Sequence, residues 1–209
     1  MFDYIRDPEE IYKKSFSLVR AEADLSGLSE AEATVAVRLI HACGQPAIAQ
    51  NLVFSKTAVE AGRIALANSA CVLVDAEMVS FGIVRERLKK NNDIVCTLNN
   101  NGVRKAAKKF KITRSAAAVD MWIDRLDGAV VAIGNAPTAM YRLLEMIKKG
   151  APSPALICGF TVGFVGAAES KEALIQYATE WGIPFITLRG RLGGSAIASA
   201  SINALASDL

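Results

Sequence analysis

One histidine, four cysteines and six prolines are spread over 209 residues, and these scarcities exclude several chemistries at once. A lone histidine without any Cys-x-x-Cys pair leaves no ligand set at zinc spacing. Cys43, Cys71, Cys96 and Cys158 stand far apart, and three of them fall in short apolar runs where cysteine acts as a small hydrophobe. Unpaired thiols suit a reducing compartment, so a cytoplasmic location is expected. Long apolar runs are missing as well. The longest, from Ala155 to Ala168, is interrupted by glycines and Thr161 and falls short of the roughly twenty residues of a membrane span. The opening residues, Met1-Phe-Asp-Tyr-Ile-Arg-Asp-Pro8, lack the apolar segment of a secretory signal. Charge of one sign is also scarce. Lysine and arginine number 24 against 21 acids, a net charge of +3, and the densest cluster (Lys105, Lys108, Lys109, Lys111) reads as a solvated helix face. Neither a nucleic-acid surface nor a membrane partner is expected.

Phosphate-binding and hydrolase signatures are absent too. Gly159, Gly163 and Gly166 have the spacing GxxxGxxG rather than GxGxxG, no glycine turn runs into Gly-Lys-Ser/Thr, and no GxSxG elbow accompanies the histidine. No cofactor or metal is expected.

What is present is apolar. Hydrophobic residues make up 52% of the chain and the mean hydropathy is +0.27, which suits a large core or a buried subunit interface. At this length one domain over 1–209 is the simplest reading, able to bury roughly 70% of its unfolded surface. Asp7-Pro8-Glu9-Glu10 starts a helix with an N-cap aspartate and proline at N1. Ser29 and Glu32 form a capping box for a second helix, which Gly44 ends. A loop with a short extended piece, Leu52-Val-Phe54, leads to Ser55, the expected cap of a third helix running to about Ala67.

Beyond residue 70 the pattern changes. Cys71–Val74, Ile94–Leu98, Ala129–Ile133, Ala155–Cys158 and Phe185–Leu188 are continuous apolar runs, as expected of strands covered on both faces. Helical segments are expected near 78–90, 103–110, 115–126, 137–149 and 167–181, with a last one from Ser195. Five strands with helical crossovers predict a three-layer, doubly wound, mostly parallel α/β sheet.

Ligands of such sheets lie beyond the carboxyl ends of the strands. There the chain carries Asp75, then Gly134-Asn135-Ala-Pro137, the glycine turns 159–166, and Arg189-Gly-Arg191-Leu-Gly-Gly194-Ser195. Asn135 with Pro137 reads as an N-cap and N1 pair, and Ser195 as the cap of the last helix. Glycine turns, helix N-termini and Arg189 and Arg191 together predict a ligand bearing carboxylates or phosphates. His41, in the last turn of its helix with Arg38 on the same face, is the candidate for proton transfer, because histidine alone titrates near neutrality without perturbation.

Read in order, Tyr4–Pro8, Ser15-Phe16, Arg20–Asp24, Arg38-Leu-Ile-His-Ala-Cys-Gly44, Thr113-Arg-Ser115, Ala132–Ala139, Val162–Lys171, Arg189-Gly-Arg191 and Gly193-Gly-Ser195 make the chain similar, nearly end to end, to the precorrin-8X methylmutase family of corrinoid biosynthesis. The resemblance implies a flavodoxin-like fold, a homodimer with sites near the subunit interface, and no added cofactor. It also implies an intramolecular methyl shift between adjacent ring-C carbons of a contracted tetrapyrrole, giving hydrogenobyrinic acid, or cobyrinic acid when cobalt is already inserted. His41 falls on that family's catalytic histidine, and Ser15 and Arg114 on its substrate-contacting serine and arginine. The acetate and propionate groups of such a substrate match a rim of Arg114, Arg189, Arg191 and helix ends. Departures are Thr161 for a usual proline, Leu192 for a usual second arginine, and Ser69 for a common glycine. They motivate one alternative, a relative that holds a tetrapyrrole polycarboxylate without chemistry.

Overall fold

In a computed structural model, which describes residues 2–207, the continuous apolar runs become strands because helices cover both of their faces. β1 (Leu52–Phe54), β2 (Val72–Val74), β3 (Ile94–Cys96), β4 (Val130–Ile133), β5 (Leu156–Gly159) and β6 (Phe185–Leu188) form one sheet in the order β1-β6-β5-β4-β2-β3. All neighbours are parallel except β1, which pairs antiparallel to β6 with Leu52 opposite Leu188. Without β1, the order is that of a flavodoxin-like sheet. The sheet thus has six strands where the sequence predicted five. The sixth is three residues long, and its partner lies far along the chain. Ser55 serves this pairing rather than a helix: its Oγ accepts from the Phe185 N–H at 2.9 Å. The following helix is capped at Thr57 instead.

Strand residues alternate between two apolar layers. Val72, Val74, Val130, Ala132, Leu156, Cys158 and Ile186 face one core. That core is completed by residues of α2 (Glu30–Cys43), α3 (Ala58–Ala67), α4 (Glu77–Gly82) and α9 (Ser195–Leu205). Leu73, Val131, Ile133, Ile157 and Phe185 face the other, against Trp122 and residues of α7 (Pro137–Lys148) and α8 (Ala167–Trp181). α5 (Val103–Phe110) and α6 (Arg114–Val119) follow β3, and α1 (Pro8–Glu22) packs on α2.

Two expected helices are shorter than their patterns. The segment 78–90 is helical only to Gly82, with one 3-10 turn at 85–87. Asn203 of α9 stops it, accepting from the Val84 N–H at 2.8 Å while donating to the Gly82 carbonyl at 2.9 Å. A Cβ at Gly82 would lie 2.4 Å from Ser199 Oγ, so only glycine allows α4 this close to α9. The segment 115–126 divides into α6 and a 3-10 turn at 120–125, which buries Trp122 with its Nε1 donating to Thr97 Oγ1 at 3.0 Å.

Ser69, where the resemblance leads one to expect glycine, has φ of 65°. A side chain in this left-handed region costs about 1–2 kcal/mol, and glycine adopts it freely. Ser69→Gly is therefore expected to stabilise the protein by about 1 kcal/mol, raising the thermal midpoint by about 2–4 °C; calorimetry checks this, and an unchanged or lower midpoint contradicts it.

Candidate active site

His41 is positioned by two well-terminated helices. The capping box forms as expected: Ser29 N donates to Glu32 Oε2 at 2.8 Å and Glu32 N to Ser29 Oγ at 3.4 Å. Gly44 ends α2 with φ of 67°. Leu39 and Ile40 are fully buried, which leaves His41 on the outward face one turn from Gly44. α1 starts where Asp7 accepts from the Glu10 N–H at 2.8 Å, and it brings Ser15 over α2.

Ser15 Oγ lies 2.8 Å from His41 Nδ1. The rings of Tyr12 and Phe16, from the turns on either side of Ser15, sit 5.7 and 5.4 Å from the imidazole, Phe16 edge-on. The Arg38 guanidinium stacks over Phe16 at 5.3 Å. A hydroxyl both donates and accepts, so Ser15 can pair with Nδ1 whether or not that nitrogen carries hydrogen. Nε2 is thereby left for a ligand.

The imidazole opens on a cleft of about 380 Å³ between α2, α4 and α9, lined also by Tyr12, Arg38, Met78, Arg87 and Ser195. Arg38 and Arg87 belong to no ion pair among the described residues. Burial, and then the neighbouring Arg87 charge, push the Arg38 guanidinium below its ordinary pKa. Two cations without a counter-ion beside one cleft favour an anionic ligand. Arg87 is absent from the sequence prediction because 78–90 reads there as an ordinary polar helix. Its only local signal is the basic run Arg85-Glu-Arg-Leu-Lys-Lys90.

The carboxyl ends of the strands are joined to one another. Asp75, directly after β2, accepts backbone N–H bonds from Gly134, Asn135 and Ala136 after β4, at 2.8, 3.1 and 2.8 Å. Burial raises its carboxyl pKa, and the three amides hold that rise back. The strand order reverses between β2 and β4, where related sheets bind phosphate groups. Here the chain's own carboxylate fills that position. Asn135 is consequently not the N-cap of α7. Ala136 is, with Pro137 at N1, because the 134–136 amides turn toward Asp75. The Asn135 side chain is exposed. Val162 N then donates to Asn135 O at 3.3 Å, Gly163 N to Arg191 O at 3.3 Å, and Gly194 N to Phe160 O at 2.8 Å. A Cβ on Gly193 would lie 2.3 Å from Phe160 O, so the last loop presses directly on the one before it. Gly194, not Ser195, is the N-cap of α9, and Ser195 is its first residue.

Of the predicted site residues, Ser15, Arg38, His41 and Ser195 gather around or beside the cleft, and Gly194 adjoins Ser195. Arg114, Asn135, Arg189 and Arg191 do not line it. Arg114 opens α6, Arg189 is ion-paired to Glu172, and Arg191 lies over the Phe164 ring at 5.5 Å. Thr161, in place of the usual proline, is fully buried and hydrogen-bonds Ser170 Oγ at 2.9 Å. Among the described residues no group of three or more His, Cys, Asp or Glu could hold a metal ion. No described helix is long and apolar enough to cross a membrane.

Fold and site together define a doubly wound α/β protein with a serine-held imidazole in a cationic cleft and an aspartate bonded across the switch point. The sequence profile of the precorrin-8X methylmutase family matches residues 10–208. A precorrin-8X methylmutase from a Sinorhizobium species is 53% identical over 205 residues, spanning 98% of this chain and 97% of its own. That of Pseudomonas aeruginosa is 52% identical over 208 residues, spanning 100% and 99%. The crystal structure of a precorrin-8X methylmutase from Thermus thermophilus superposes with a TM-score of 0.85 at 39% identity, covering 95% of this chain and 94% of that one. This chain belongs to the precorrin-8X methylmutase family.

Asp75→Ala would leave three converging amides without their acceptor. At about 1 kcal/mol or more for each lost bond, it is expected to destabilise the protein by about 3 kcal/mol in urea unfolding. A loss below about 1 kcal/mol, the worth of a single such bond, contradicts the assigned role.

Proposed function

We propose that this chain is an isomerase that moves a methyl group between adjacent ring-C carbons of precorrin-8X, giving hydrogenobyrinic acid on the route to cobalamin, with His41 lending and recovering one proton. The observation that carries this is the Ser15–His41 pair opening on a cleft with two uncompensated arginines.

A methyl group migrates more readily around a conjugated macrocycle when a ring nitrogen is protonated, because the π-system is then polarised. With Ser15 accepting from Nδ1, the imidazolium also carries a hydrogen on Nε2 and can give it to that nitrogen, becoming a neutral imidazole. The carbon–methyl bond breaks at one carbon as it forms at the next. The product's ring nitrogen then returns the proton to Nε2, so the reaction is balanced without any other reactant. Nδ1 keeps its hydrogen and its bond to Ser15 throughout, so the same hydroxyl serves the imidazolium and the neutral ring. Arg38 and Arg87 would grip acetate or propionate groups and fix the ring over the imidazole.

The metal-free substrate is favoured. The relatives at 53% and 52% identity are named precorrin-8X methylmutases, whereas those named for the cobalt form stand between 30% and 37%. A homodimer fits the same reading. Met78 and Phe81 beside the cleft, and Phe164 and Val165 at the loop edge, are each at least 75% exposed in the single chain.

His41→Ala is expected to abolish conversion of precorrin-8X to a product with the corrin absorption spectrum, while the macrocycle still binds. Wild-type-like turnover in that variant excludes the mechanism, and a native protein that binds precorrin-8X unchanged is a holder rather than an isomerase. Ser15→Ala should lower kcat by about 10- to 100-fold, at or below the range for loss of a proton-transfer group. Arg87→Gln should raise KM by about tenfold with kcat little changed, the worth of one charge-assisted bond; steady-state kinetics separates the two effects, and an unchanged KM removes Arg87 from substrate binding.

A further inference from the structure

Lys171, in the second turn of α8, has no exposed surface. It belongs to no ion pair among the described residues. Its Nζ donates to the Leu192 carbonyl, at the tip of the loop between β6 and α9. Burial drives its pKa down to about 8, with only the Glu172 charge opposing. Burying an ammonium is costly unless it is hydrogen-bonded, so packing alone gives no reason for lysine at this position and the Leu192 carbonyl does.

The loop it holds bears on the cleft. Gly194 N donates to Phe160 O at 2.8 Å, Gly193 has no room for a side chain against that carbonyl, and the next residue, Ser195, lines the cleft with His41. Leu192, where the family resemblance leads one to expect arginine, is used here through its carbonyl. We propose that protonated Lys171 is a positioning residue that keeps the 189–194 loop in its substrate-binding form, and that the loop loosens when the ammonium is lost. A charge-assisted bond to a carbonyl is about twice as strong as a neutral one, so loss of the proton weakens the anchor that Leu192 provides.

The titratable and charged groups of the surrounding elements do not supply the same switch. Glu172 on α8 is tied to Arg189, and Arg191 lies over Phe164. Glu169 on α8 acts on Tyr141 of α7, whose phenol is pushed up by burial. The Cys158 thiol of β5 is pushed up to about 12.

The proposal rests on the isomerase reading, and the full chain tests both. Turnover of precorrin-8X is followed from about pH 6.5 to 9.5 in the native protein and in Lys171→Met. The native KM is expected to rise by about tenfold through the alkaline limb, the worth of one charge-assisted bond, with kcat nearly constant. Lys171→Met should show the raised KM at every pH and no limb. A flat native KM, or a variant that keeps the native KM and limb, overturns the proposal. If the variant does not fold, hydrogen exchange of the Gly194 amide in the native protein decides. Corrected for intrinsic base catalysis, its protection should fall as pH passes about 8, and unchanged protection overturns the proposal. Absence of native turnover at every pH would sink the isomerase reading instead, and the exchange measurement would still judge Lys171.

Discussion

The three amides that converge on the Asp75 carboxylate set the geometry of the whole carboxyl edge of the sheet. β2 and β4 are neighbours in the sheet but are separated in sequence by α4, β3, α5 and α6. Their carboxyl ends would otherwise diverge into a crevice at the reversal of strand order. Asp75 closes it with three charge-assisted bonds and so fixes where α7 starts. The following loops are built on that closure. The 160–166 turn bonds back to Asn135, and the 189–194 loop bonds back to the 160–166 turn. Each strand end is thus braced by the previous one, and Gly193 is what lets the last two approach so closely.

The cleft that holds His41 lies elsewhere. Flavodoxin-like sheets ordinarily receive ligands at the switch point. In this chain the free imidazole lies on one helical layer, where the end of α2 meets α4 and the start of α9. α9 connects the two regions. Its first residue touches both the braced loops and the cleft, and its Asn203 ends α4 where Arg87 can approach.

Much of this arrangement was legible in the sequence because it rests on local signals. Continuous apolar runs announced β2 to β6, and Ser29, Glu32 and Gly44 announced the limits of α2. What stayed hidden depends on partners distant in the chain. β1 reads in the sequence only as a short extended piece outside the sheet, and it is a strand of the sheet because Leu188 lies opposite Leu52. The early end of α4 is imposed by Asn203, and no residue within 78–90 signals it. Asn135 resembles a cap because Asn-x-Pro commonly starts a helix, but a buried aspartate sixty residues earlier claims the amides there. In the site, His41 stood out by being unique, and Ser15 and Arg114 entered through the family resemblance. Arg87 was masked by the charged residues around it, and no local signal shows that Lys171 is buried.

The two halves of the Ser15–His41 pair are anchored very differently. α2 contributes six buried residues to the core, whereas α1 contributes none and touches the core only through partly buried side chains such as Val19 and Ala23. Elements with so little buried surface open at a small fraction of the global unfolding free energy. The serine arm is therefore the less firmly held half of the pair, and the orientation of the imidazole depends on the helix that has least to lose by opening.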